Sequence, residues 1–185
     1  NVSGGTLNIT PTSWSNPGQI NVSSGTLNLG SAFTVADLTG AARYSRTGGS
    51  VNLNTTLDLG GSTLDIGSAG LFGTGGLNNF GGTLKNGTLV SGDGTVLKSS
   101  SGTLDTVTVG SNLTTNSGTL YFSNGLTLAD GVTLNNGGGY WYFLGTYTGG
   151  STNSPAIQLP GESPGAATLQ MTGGALYSYN YPPGS

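Results

Sequence analysis

Thr56–Gly67 reads TLDLGGSTLDIG, two short units in which a Leu is followed by Asp and then a second apolar residue. Units of this kind recur every six or seven residues from Val51 to Tyr142 and superpose again after about three steps. Leu57, Leu77 and Leu97 stand twenty apart, and so do Leu64, Leu84 and Leu104. A shorter step of sixteen carries Leu97 to Leu113 and Leu104 to Leu120, and another twenty reaches Tyr140. Apolar columns with such a period need a structure that stacks residues about twenty apart, because one repeat cannot bury its own apolar face. The spacing therefore predicts an all-β, right-handed, single-stranded parallel β-helix with about 20 residues and three short strands per coil. Within each unit apolar residues point inward and polar ones outward, while Gly, Ser and Asn mark the corners.

The N-terminal end repeats the argument. Asn1–Ile9 (NVSGGTLNI) and Asn21–Leu29 (NVSSGTLNL) are copies twenty residues apart with seven of nine positions identical. Trp14 and the Asn16-Pro17-Gly18 turn complete the coil between them, with Pro17 at a corner because it cannot donate in a central strand. The coils are expected over residues 1–148. Residues 31–46 break the period, and the window Val35–Ala42 has helical spacing. Its Gly, Thr and aromatic neighbours favour irregular strands or a protruding loop over a helix. Residues 149–185 form a Pro/Ser/Gly-rich stretch and Tyr-rich terminal strands, expected as a cap or final coils.

Composition narrows the chemistry. The 185 residues include 36 Gly and 7 Pro but only 6% charged residues, with a formal net charge of -3. Disordered chains usually stay soluble through high charge, so this composition points to order. Without Cys or His, thiolate nucleophiles, Cys/His zinc sites and histidine acid–base catalysis are excluded. Four basic residues, Arg43, Arg46, Lys85 and Lys98, are too few for an extended phosphate-neutralising surface, so nucleic acid is not an expected partner. No apolar run is long enough to insert into a membrane. Asn1 in place of Met, and coils already running there, suggest a mature or excised segment whose first coil is covered by a neighbour or an upstream segment.

Candidate sites are few. Asp65, Lys85 and Asp105 each follow a stacked Leu and should form a ladder about 4.8 Å per step. Alternating signs make it a structural ladder rather than a carboxylate pair for catalysis or calcium. Asp93 in SGDGTV is a weak echo of a glycine-rich calcium repeat and reads better as a turn. Asp37, Asp58, Asp130 and Glu162 complete seven scattered acids that do not suggest a polysaccharide-cleaving centre, and no cofactor or metal site is expected. Sequons begin at Asn1, Asn8, Asn21, Asn54, Asn86 and Asn112 and are read as compositional. Tyr140, Trp141, Tyr142, Tyr177, Tyr179 and Tyr181 are the candidate glycan or partner contacts, with filling of the last coils as the commoner fate of such rings. Thr63, Thr83, Thr103 and Thr119 form one Thr column, and an ice-binding lattice is disfavoured because no second column matches it.

The segments NVSGGTLNI, SAFTVADLTG, YSRTGGSVNLNTTLDLGGSTLDIG and GGTLKNGTLV resemble repeats of large secreted bacterial surface proteins, the filamentous-haemagglutinin-like adhesins and autotransporter passengers. The resemblance covers roughly residues 1–135. It implies a right-handed solenoid exported to the cell surface and a non-enzymatic role in adhesion, biofilm matrix or fibre formation. Partners would be other copies or neighbouring segments of a longer chain, with glycans as the alternative. The family's repeats define no catalytic residue to transfer.

Overall fold

Strands form here because the chain alternates an aliphatic residue with a polar one and turns at Gly or Asn before the pattern lengthens. Ser50–Leu53 and Thr133–Asn136 show that alternation as half-exposed and buried positions in strict succession. The computed structural model of the protein describes residues 1–12, 14–39, 43–116 and 118–145, together with the strand backbones at 157–158, 168–171 and 175–180. It is a parallel β-solenoid of about seven turns, with 56% strand, 3% helix and a spacing near 21 residues. Sequence spacing had suggested about nine coils; two turns absorb excursions and lower the number. Seven turns stack over roughly 35 Å.

Each turn has three strand segments. The first set runs through Val2–Ile9, Ile20–Leu29, Ser50–Leu53 and Asn79–Phe80. A bridge from Phe80 to Ser99 leads it toward Leu97–Lys98, Leu113–Asn116, Thr133–Asn136 and Thr168–Met171. The second and third sets are two arms of one nine-stranded sheet, in which Thr83–Val90, Ser101–Val109 and Thr119–Leu128 each change direction once. The change falls at Asn86, Thr106 and Asn124, whose φ values of 56°, 54° and 54° are left-handed. In the first set the corresponding residue is Gly. A Cβ on Gly25 would lie 2.5 Å from the Gly5 carbonyl oxygen, which explains why both N-terminal copies have Gly there.

The core is a set of apolar columns. Phe33, Leu57, Leu84, Leu104, Phe122 and Phe143 stand in register and are all buried. Phe122 and Phe143 stack at 4.6 Å and 10°. A second column runs Leu64, Leu89, Val109, Leu128. Among the described residues every buried side-chain nitrogen or oxygen has a partner, as a parallel stack without flanking water requires.

The sequence register is right in part. Leu7 lies beside Leu27 and Leu84 beside Leu104, as expected. Leu57, however, lies beside Leu84 rather than Leu77, and Leu64 beside Leu89. Leu97 meets Thr115 rather than Leu113, Leu104 meets Phe122 rather than Leu120, and Leu120 meets Trp141 rather than Tyr140. The cause of the first shift is the segment between Ile66 and Leu77, which leaves the coil through successive Gly turns. Leu77 then returns beside Ile66, its N–H donating to the Ile66 carbonyl at 2.9 Å.

Residues 31–46 contribute to the coils at both ends. Phe33–Thr34 pairs with Thr56–Asp58, and Tyr44–Arg46 pairs with Ile20–Asn21–Val22. Between them Val35–Leu38 is one helical turn, contrary to the expectation of irregular strand or loop. The helix prevails because Asp37 reaches back to accept from the Thr34 N–H and hydroxyl, both at 2.9 Å, while Leu38 is buried. Asn16 fastens the excursion to the first coil by donating to the carbonyls of Asp37 and Arg43 at 3.1 and 2.8 Å.

Candidate functional site

The charge ladder exists with a different first member. Register places Asp58, not Asp65, beside Lys85, and Asp105 on the other side. Lys85 Nζ lies 3.2 Å from Asp58 Oδ2. The Gly60 N–H, followed by Lys85, holds the Asp58 carboxyl below its ordinary range. Asn86 donates to both Asp58 oxygens at 3.3 Å, and Asn124 to Asp105 at 2.8 Å, so the left-handed corner residues brace the ladder.

Asp65 is displaced because its strand pairs with the far end of Thr83–Val90, opposite Val90. Its carboxylate accepts from the N–H groups of Gly67 and Gly92 at 2.8 and 3.1 Å and so closes a corner. Asp93 does the same for its own turn. It accepts from the Thr95 hydroxyl at 2.6 Å, the Thr95 N–H at 3.0 Å and the Ser68 N–H at 2.9 Å, and the Thr95 hydroxyl leads in depressing its pKa. Among the described residues no group of three or more acidic, His or Cys side chains is arranged to hold a metal.

The aromatic run divides by alternation. Trp141 is only 1% exposed, stands beside Leu120 and donates its indole N–H to the Thr115 hydroxyl at 2.9 Å. It is a core residue, so its assignment as a glycan contact is corrected: an inward position of the Leu120 column cannot meet a ligand outside. Tyr140 and Tyr142 take the opposite sense, and Tyr140 is 50% exposed. Tyr142 stacks on Tyr121 at 5.3 Å and 29°, which gives one ring face of each to the other. Tyr177 is in backbone register with Tyr142 and Tyr179 with Leu144. Tyr181 lies outside the described residues.

Outward polar residues also align. There are two Thr columns where sequence spacing indicated one, Thr56–Thr83–Thr103 and Thr63–Thr88–Thr108–Thr127. They lie on separate arms, on either side of the left-handed residue, so each remains one residue wide. Asn28 donates to Asn8 at 2.7 Å and Asn52 to Asn28 at 2.8 Å, which makes the Asn8 sequon part of a side-chain ladder.

Two features were not singled out from the sequence. Leu7 belongs to an interior column, Leu7–Leu27–Val51, yet is 40% exposed while Leu27 and Val51 are fully buried. The strand Val2–Ile9 pairs with Ile20–Leu29, and among the described residues nothing pairs with its other edge. The second feature is a groove of about 330 Å³ lined by Trp14, Phe33, Thr34, Asp37, Thr56, Asp58 and Lys85, with Ala32 at its edge. These residues come from three turns and an excursion. Only the 20-, 24- and 27-residue registers bring them together, and no local motif marks them.

No helix is long and apolar enough to cross a membrane among the described residues. These features define the class as a parallel β-solenoid repeat protein. Comparison with protein-family models, with curated proteins and with solved structures returned no match.

Proposed function

We propose that this chain is a non-enzymatic structural segment of a secreted bacterial adhesin or surface fibre, built to stack end to end. The repeat motifs that resemble adhesin and autotransporter passengers support the origin. Leu7 supports the stacking, and it is the observation that carries the reading. A Leu in an interior column has half of its apolar surroundings missing, and the adjoining strand edge has hydrogen-bonding groups directed outward. Another coil in register would satisfy both, whether from the same polypeptide or from a second copy. Continuous backbone pairing between turns then makes the rod stiff without covalent cross-links.

The experiment is static light scattering with negative-stain microscopy over a range of concentrations, on the chain and on Leu7→Lys. Head-to-tail stacking predicts rods that lengthen with concentration and shorten to monomers in the variant, because a cation at the interface lacks a partner. Monomers at every concentration would refute self-assembly.

Glycan binding through the aromatic-rich C-terminal region is the second reading. The half-exposed Tyr140 supports it, while the mutual stacking of Tyr121 and Tyr142 favours a packing role for those two rings.

A further inference from the structure

We propose that the groove between the Val35–Leu38 excursion and the second set of strands is a binding site for a neutral saccharide. The site is distinct from the stacking surface and from the aromatic C-terminal region. Its floor is aromatic. Trp14 packs against Phe33 with centroids 5.7 Å apart at 45°, and its indole N–H donates to the Ser31 carbonyl at 3.3 Å. The ring is therefore held in place before any ligand arrives, and an aromatic surface suits the apolar C–H face of a pyranose.

The rim supplies the other half of sugar recognition. Asp37 and Asp58 offer acceptors, Lys85 offers donors, and Thr34 and Thr56 offer hydroxyls that do both. Each charged group is oriented by contacts outside the groove's opening: Asp37 by Thr34, Asp58 by Gly60 and Asn86, and Lys85 by Asp58. Such preorganisation lowers the cost of binding.

Charge identifies the ligand class. A polyanion would face two carboxylates, and a cation would face Lys85, whose charge already pairs with Asp58. A neutral polyol meets no opposing charge and uses both donors and acceptors. A volume near 330 Å³ is at the lower end for small-molecule pockets, about 300–1,000 Å³, and suits one or two sugar rings with an open side for a longer chain.

The test uses the indole N–H resonances of the intact protein, which has two Trp. Glucose, galactose, mannose, N-acetylglucosamine and their β-linked trimers are titrated against the ¹⁵N-labelled chain, with glucuronic acid and glucosamine as charged controls. The expected result is a saturable shift of the Trp14 resonance by at least one neutral sugar, with the buried Trp141 resonance unmoved. Trp14→Ala should remove binding. Because Trp14 also packs on Phe33, Asp58→Asn provides the variant that keeps the packing, and it should weaken binding by about tenfold. The proposal is overturned if no neutral sugar moves the Trp14 resonance, if Asp58→Asn leaves the affinity unchanged, or if a charged control binds as tightly.

Discussion

Residues 83–128 and residues 31–80 build the same solenoid by different means. In the first region successive strands align at offsets of 20 and 18, as Leu84 meets Leu104 and Leu104 meets Phe122. Almost every residue there is strand or corner, and single left-handed residues turn the chain. In the second, the offsets are 24 and 27, as Leu27 meets Val51 and Leu57 meets Leu84. The additional residues leave as two excursions, and each is tied down by one polar side chain.

Asn16 holds the first excursion, and Arg46 holds the second. The Arg46 guanidinium is 7% exposed and donates to the Phe72 carbonyl at 3.3 Å, the Gly48 carbonyl at 3.1 Å and the Asn78 side chain at 2.7 Å, as well as to the carbonyls of Gly49 and Gly76. No carboxylate contacts it among the described residues; five oxygens serve instead. Tyr44 joins the same cluster by donating to the Phe72 carbonyl at 2.9 Å, and burial pushes its hydroxyl up to about 12, with Arg46 opposing. A solenoid therefore tolerates insertions at corners when the backbone groups they strand are satisfied internally.

Removing that anchor should separate the two regions most clearly. Arg46→Met leaves buried acceptors unpaired, and the expected loss is on the order of 3–5 kcal/mol in urea unfolding. Amide exchange should show the loss concentrated in residues 66–80, with residues 101–128 still protected. Uniform loss of protection would mean that the two regions unfold as one unit.

A smaller effect of opposite sign is expected in the regular region. Thr106 is β-branched and sits at φ 54°, while Asn86 and Asn124 occupy the equivalent corners. Thr106→Asn should stabilise by about 1 kcal/mol through relief of backbone strain. A destabilised variant would show that the Thr106 hydroxyl contacts outweigh the strain.

The smallest effect concerns the ladder that joins the regions. Asp58 has a folded pKa below its unfolded value, so its contribution is present above about pH 4 and lost as pH falls through the lowered folded value. The stability difference between the native chain and Asp58→Asn should shrink over that window. Salt should reduce it as well, since the pair is partly exposed. A difference that persists below that window would assign the effect to packing.

Much of this was legible in the residues. The paired NVSxGTLN copies and the Leu spacing specified a parallel solenoid, because only stacked coils bury columns at that period. Inward and outward sense was also legible: alternation places Trp141 with Leu120 inside and Tyr140 and Tyr142 outside. The glycan assignment of Trp141 gave aromatic character precedence over that alternation.

Register across the excursions was decided by tertiary structure. A Leu recurring every seven residues fits its neighbour equally well after a slip of one unit, so Leu77 and Leu84 are equivalent partners for Leu57 on pattern alone. The choice depends on Arg46 and the Gly turns, which return the chain beside Ile66. That choice moves Lys85 from Asp65 to Asp58, and with it builds the groove around Trp14. Sequence by itself determined the architecture, because burial of a periodic apolar face is a local pattern summed along the chain. Tertiary structure determined which side chains share a surface, because that depends on how many residues each corner releases before the coil closes.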